Sequence, residues 1–196
     1  MLDLPFADRI VRTGDRDAWL AFRRRSIGGS SAATLAGLNP YQLRDELWAE
    51  MVGDIPPADL SGNEAVYWGT RLEPMLLEEV ARKRGLVVHP WVQSDVVRHA
   101  DHDGIHDTPD GIAIDGGQLV LVQIKTTSAW KADDWRDEPP AEVYTQVQHE
   151  LEVLDLERAI VGVLIGGQSF RTFDVSRDRE VGTWLVARCL EFLGWI

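Results

Sequence analysis

The segment from Gly111 to Lys125 constrains this chain most. Gly111-Ile112-Ala113-Ile114 and Leu119-Val120-Leu121-Val122-Gln123-Ile124-Lys125 are two apolar runs joined by Asp115-Gly116-Gly117, a turn that closes an antiparallel hairpin. The second run is apolar from Leu119 to Val122 without a break, the pattern of a central strand covered on both faces. Strand alternation puts Gln123 and Lys125 on one side, and the hairpin lays the strand that follows Asp110 alongside them. A lysine buried in such a strand is costly without an ionic or functional partner. Asp110, Gln123 and Lys125 are therefore predicted to converge. A carboxylate, an amide oxygen and an ammonium together have the chemistry of a Mg²⁺ site that activates water and stabilises charge at a phosphate.

The rest of the chain frames this hairpin. Asp15 is placed to cap a helix carrying Trp19, Leu20 and Phe22 and ending in Arg23-Arg24-Arg25. Short helices are expected over 30–36 and 43–52, stopped by Gly37 and Gly53, and a polar loop over 54–62. Asn63 caps a long helical stretch to Gly85, with a break expected just before Pro74 because proline lacks the N–H that a helix interior needs. Leu86 to Val88, Val96-Val97 and the hairpin read as a strand meander. Ala141 to Leu154 carries Val143, Val147, Leu151 and Leu154 on one helical stripe. Strands over 159–165 and 170–175 and a helix from Arg177 to Leu193 follow. This order predicts a mixed sheet flanked by helices, folded as one domain over residues 1–196.

Composition narrows the function. The 196 residues carry 20 basic and 32 acidic side chains, a net charge of -12, which excludes a uniformly basic nucleic-acid coat and leaves room for a local basic groove lined by arginines such as Arg24, Arg71 and Arg136. The single cysteine, Cys189, excludes an internal disulfide and any cysteine-rich metal centre, and its apolar helical stripe marks it as core. With no apolar stretch near the roughly 18 residues of a membrane span and no leader pattern, a cytoplasmic protein is expected.

Three more segments carry chemistry. Trp68-Gly69-Thr70-Arg71-Leu72-Glu73 presents a carboxylate just before Pro74, so Glu73 is a candidate further metal ligand. Gln146 and Gln148 flank the core residue Val147 and are candidates to hold phosphate oxygens or bases. Arg23 leads through Gly28-Gly29 into Ser30-Ser31 and a helix start, a candidate cradle for a terminal phosphate. His99, His102 and His106 alternate with Asp101, Asp103 and Asp107, but the spacing fits neither a zinc helix nor a calcium loop, so they read as loop residues leading to Asp110.

Taken together, Arg23 to Ser31, Trp68 to Glu73, Thr108-Pro109-Asp110-Gly111 and Gln146-Val147-Gln148 resemble the ordered motifs of the YqaJ-type viral recombinases. These are relatives of phage lambda exonuclease in the PD-(D/E)XK nuclease superfamily. The resemblance implies a restriction-endonuclease-like core in the order αβββαβ, with extra terminal helices. It also implies Mg²⁺-dependent 5′-to-3′ digestion of one strand of duplex DNA, leaving 3′ overhangs for single-strand annealing, with Mn²⁺ as a substitute metal. By that likeness Glu73, Asp110, Gln123 and the Ile124 carbonyl would hold metal, and Lys125 would position or deprotonate the attacking water. Arg23, Ser30, Thr108 and Gln146, with Gln148 beside them, would hold the 5′-phosphorylated DNA end. It further implies a phage or prophage origin in a bacterial host, a homotrimeric ring and a single-strand annealing protein as partner.

Two positions depart from the family pattern. Ser31 stands where relatives often carry an acid. More seriously, the family has glutamate where this chain has Gln123. The amide oxygen can still face a cation, but one negative charge is lost and the amide is no base. Weakened metal binding and strongly reduced or absent cleavage follow. Glutamine is also the isosteric change that would trap uncut DNA. Two alternatives stand beside the exonuclease: a non-catalytic DNA-end-binding module of the same fold, and an endonuclease of the same superfamily.

Overall fold

A computed structural model describes residues 3–196. The N-terminal part holds strand β1 (Ile10–Arg12), helix α1 (Arg16–Arg23), helix α2 (Gly29–Leu35) and helix α3 (Arg44–Val52). Asp15 caps α1 by accepting the Ala18 N–H at 2.8 Å, as its side-chain chemistry predicts. Helix α4 (Glu64–Arg84) is a single helix of 21 residues capped by Asn63 and closed by Gly85 at φ +66°.

The break expected before Pro74 does not occur, because α4 runs straight through that position. Pro74 and Thr70, whose carbonyl the missing N–H leaves free, both lie on the exposed side, where water can take the acceptor. The opposite side buries Leu76, Leu77 and Val80, each contributing about 1.5–3 kcal/mol. That burial outweighs one lost hydrogen bond.

Strand β2 (Val87–Pro90), strand β3 (Asp95–Arg98), strand β4 (His106–Asp107), strand β5 (Gly111–Asp115) and strand β6 (Gln118–Thr127) follow, then helix α5 (Ala141–Leu154), strand β7 (Arg158–Ile165), strand β8 (Ser169–Ser176) and helix α6 (Arg179–Leu193). The main sheet has the order β2-β5-β6-β7-β8, antiparallel except for the β6–β7 pair, which α5 connects. The α4-β2-β5-β6-α5-β7 sequence is the αβββαβ order of a restriction-endonuclease-like core.

The expected meander is corrected at Val96-Val97. That strand leaves the main sheet and pairs with β1 and β4 in a separate three-stranded sheet of order β1-β3-β4. Three-residue β1 and two-residue β4 are too short to show a period, so the small sheet has no sequence signature. The last helix also begins two residues later than expected: Asp178 caps it, while Arg177 is held by Glu152 at 2.9 Å and Asp155 at 2.7 Å.

β6 is the central strand. Val120, Val122 and Ile124 pack with Leu76, Leu77 and Val80 of α4, while Leu121 packs with Val147, Leu151 and Val161 on the α5 side. Gln123 and Lys125 share the Leu121 side by alternation, so both face α5. Gly116 and Gly117, at φ +58° and +83°, make the β5–β6 turn, a pair of positive angles that glycine takes without strain.

Candidate active site

Asp110 immediately precedes β5, one step beyond the Gly111–Val122 pair, which sets it across from Gln123. Its Oδ2 accepts the Ile124 backbone N–H at 2.7 Å, pinning the carboxylate to β6. Gly111 follows because a Cβ there would lie 3.1 Å from Leu77 Cδ2 and Val88 Cγ1, so a side chain would push the strand off its helix. Burial lifts the Asp110 carboxyl to about 6, with Lys125 and the Ile124 N–H pulling the other way.

Lys125 donates to Gln146 Oε1 at 2.9 Å, and Gln146 Nε2 donates to Glu150 Oε1 at 2.7 Å. The amide of Gln146 is thereby oriented at both ends. Glu150 is 1% exposed and its Oε2 has no partner. Burial, then nearby Asp107, pushes its carboxyl well above the usual range. Asp107, in β4, is also buried with Oδ2 unpartnered, and its carboxyl is likewise pushed up by burial first. Gln123 is buried with Oε1 unpartnered.

Glu73 comes from the other side of the sheet, on α4. Its Oε1 accepts from Gln93 Nε2 at 2.9 Å. Burial lifts its carboxyl to about 7, the Asp110 charge adds to this, and Lys125 opposes it. Arg23 ends α1 with its guanidinium 4.5 Å from the Trp19 ring centroid and Nη2 3.5 Å from Ser30 Oγ, so the two side chains are neighbours. Thr108 Oγ1 is buried without a partner.

Gln148 does not join this site. It is fully buried, donates to the Ser176 carbonyl at 2.8 Å and accepts the Asp178 N–H at 2.7 Å. Two residues along a helix turn the side chain about 200° away, so Gln146 faces Lys125 while Gln148 ties β8 to α6. His106 and Asp107 are corrected too: they form the buried strand β4 and not a loop. His149 Nε2 lies 3.0 Å from the His106 carbonyl, and burial holds both rings below their usual range. Asp107 reads in the sequence as a loop residue and Glu150 carries no assignment there, yet both are buried beside the site. The only signal for Glu150 is its spacing of four from Gln146, which puts both on one helical face.

Among the described residues no group of three His, Cys, Asp or Glu side chains is arranged to hold a metal ion. Two carboxylates, Glu73 and Asp110, need the amide oxygen of Gln123 beside them. The unpartnered, buried Oε1 of Gln123 is an acceptor awaiting a donor or a cation. An all-oxygen set of this kind has the chemistry that suits a hard divalent ion.

Residues 18–157 match the YqaJ-like viral recombinase domain. The chain belongs to that family. Over 180 residues it is 36% identical to the uncharacterized protein YqaJ of Bacillus subtilis, covering 90% of this chain and 55% of that protein, so the chain spans about half the length of its curated relative. The alkaline exonuclease LHK-Exo from Laribacter hongkongensis superimposes with a TM-score of 0.72 at 19% identity, covering 92% of each chain; its complex with dAMP gives 0.73 at 20%. A phage-related exonuclease from Haemophilus somnus gives 0.62 at 13% identity, covering 87% of this chain and 92% of that one. At these identities the likeness establishes the restriction-endonuclease-like fold of this YqaJ-family chain. No helix among the described residues is long and apolar enough to cross a membrane.

Proposed function

We propose that this YqaJ-family chain is a Mg²⁺-dependent 5′-to-3′ exonuclease of double-stranded DNA, with cleavage weakened by Gln123. The supporting observation is the chain of contacts from Ile124 to Asp110 and from Lys125 to Gln146, with the Arg23–Ser30 pair nearby. The structural neighbours named above are exonucleases, which agrees with this reading.

In this reading Arg23 and Ser30 take the 5′-phosphate, since a guanidinium and a hydroxyl are strong donors to phosphate oxygens, and Thr108 adds a free hydroxyl. Gln146 keeps the Lys125 ammonium aimed at the place where water attacks. Held by Glu73, Asp110, the Gln123 amide oxygen and the Ile124 carbonyl, Mg²⁺ or its substitute Mn²⁺ would supply Lewis-acid stabilisation of charge on the scissile phosphate. Gln123 contributes an oxygen and no charge, so the site is weaker by one carboxylate. The product, a 3′ overhang, is what a single-strand annealing protein consumes. We place the chain with such a partner, in the cytoplasm of a bacterium carrying a phage or prophage, and as a homotrimeric ring around DNA.

Linear duplex DNA labelled at either the 5′ or the 3′ end tests polarity, with the Gln123→Glu protein and Mg²⁺. Release of label first from the 5′ end, with covalently closed circular DNA untouched, is expected. Cutting of the circle would make the chain an endonuclease. Binding of 5′-phosphorylated ends with no cleavage by either protein would leave the non-catalytic end binder, the reading that the neutral residue at position 123 favours.

A further inference from the structure

The cleft that contains Lys125 and Gln146 is also lined by Pro40 and Tyr41 after α2 on one wall and by Thr127, at the end of β6, and Lys131 beyond it on the other. At its opening Lys131 Nζ lies 3.3 Å from Tyr41 Oη and 5.5 Å from the ring centroid, joining segments 90 residues apart. Tyr41 is 82% exposed, and Trp130, next to Lys131 on the same single-turn helix, is 94% exposed. Trp130 is the most exposed of the chain's tryptophans. An indole left in water forgoes the stabilisation that its large apolar area gives when covered.

An aromatic face beside a cation on the cleft wall, Tyr41 with Lys131, and a second exposed ring, Trp130, next to that cation and outside the lining, are what a single nucleic-acid strand binds on its way to the proposed cleavage centre. Each base stacks on a ring whatever its identity, while the cation follows the backbone. A duplex interior offers no free base faces, so only an unpaired stretch can use such rings. Glu142 lines the same cleft, which moderates the charge of Lys131 and leaves stacking as the main source of grip.

We propose that Tyr41, Trp130 and Lys131 form a mouth that grips the unpaired end of a DNA strand on its way to Lys125, the two rings stacking on bases and Lys131 contacting a phosphate. This rests on the DNA-processing reading above, and it identifies the form of DNA that enters the cleft.

The test is fluorescence anisotropy of a dye-labelled 12-nucleotide single strand in EDTA, with a blunt duplex of the same length for comparison. Trp130→Ala and Tyr41→Ala should each weaken single-strand binding about 5- to 150-fold, the range for losing one stacked base, and should change duplex binding much less. Tyr41→Phe keeps the ring and should stay near the native affinity, and Lys131→Ala should lower the salt slope by about 0.7. All three side chains lie at the surface, and a thermal melt checks that each variant is folded. Unchanged single-strand affinity in both alanine variants, with Arg23→Ala still weakening binding, would overturn the mouth and leave the nuclease reading standing. Equal losses on single strand and duplex would overturn the assignment to unpaired DNA. Failure of the native protein to bind any DNA would remove both readings.

Discussion

The Ile124 N–H and Asp110 Oδ2 meet at 2.7 Å, so the carboxylate proposed to hold metal is also the acceptor that satisfies a backbone donor of the central strand. The two roles can be separated. At pH 4, where the folded Asp110 carboxyl holds its proton, Asp110→Asn keeps an oxygen for the Ile124 N–H and should stay close to native stability, whereas Asp110→Ala leaves that donor unpaired and should cost about 1–3 kcal/mol. At pH 8 both should abolish the rise in melting temperature on adding Mn²⁺. A native-sized rise in either variant would remove Asp110 from the metal site.

Metal binding should depend on pH through Glu73 and Asp110. Their carboxyls are lifted to about 7 and about 6, burial being the main cause in each, and a carboxyl must lose its proton to ligate a cation. Mn²⁺ affinity, measured by titration calorimetry, should therefore be weak at pH 5.5, climb through pH 6–7 and level off by about pH 8. A flat profile across that range would mean these two groups are not the ligands.

Asp107 gives a stability effect of definite sign. Its folded-state carboxyl is raised above the ordinary 3.8 by burial. It therefore keeps its proton in the fold where the unfolded chain has released it, and stability is lost as pH rises from about 4 towards 7. Asp107→Asn should match the native protein near pH 4 and exceed it at pH 8, by on the order of 4 kcal/mol, since the carboxyl rises from 3.8 to about 7 and each tenfold change in proton affinity between the folded and unfolded chain is worth about 1.4 kcal/mol. Urea melts at the two pH values measure this, and a native protein more stable than the variant at pH 8 would contradict it.

Gln148 should behave as a structural residue. Gln148→Leu leaves the Ser176 carbonyl and the Asp178 N–H without their partners and should cost about 2–6 kcal/mol at roughly 1–3 per orphaned group, lowering the melting temperature by several degrees or more. Binding of 5′-phosphorylated DNA ends at a temperature where the variant is folded should not change. Loss of end binding there would return Gln148 to the site.

Much of this arrangement was legible in the sequence because strand alternation and turn chemistry act locally. The Gly116–Gly117 turn and the unbroken apolar run of β6 sufficed to bring Asp110, Gln123 and Lys125 to one side of one sheet, while the contact of Gln146 with Lys125 came only with the fold. What escaped depended on tertiary packing. Pro74 sits inside a helix because burial of Leu76, Leu77 and Val80 outweighs one hydrogen bond. Val96-Val97 joins a small sheet whose other strands are too short to announce themselves. Gln148 and Gln146 look equivalent in a Gln-Val-Gln motif, yet helical rotation sends one to a buried structural role. Asp107 and Glu150 read as ordinary polar residues until the fold encloses them.

The most direct test compares Mg²⁺-dependent digestion of a linear 5′-phosphorylated duplex by this protein and by its Gln123→Glu variant. The account predicts weak or no cleavage by the first and cleavage at least about 100-fold faster by the second, the scale of a missing charge-stabilising group at about 2.7 kcal/mol. No cleavage by a folded, end-binding Gln123→Glu protein would contradict it.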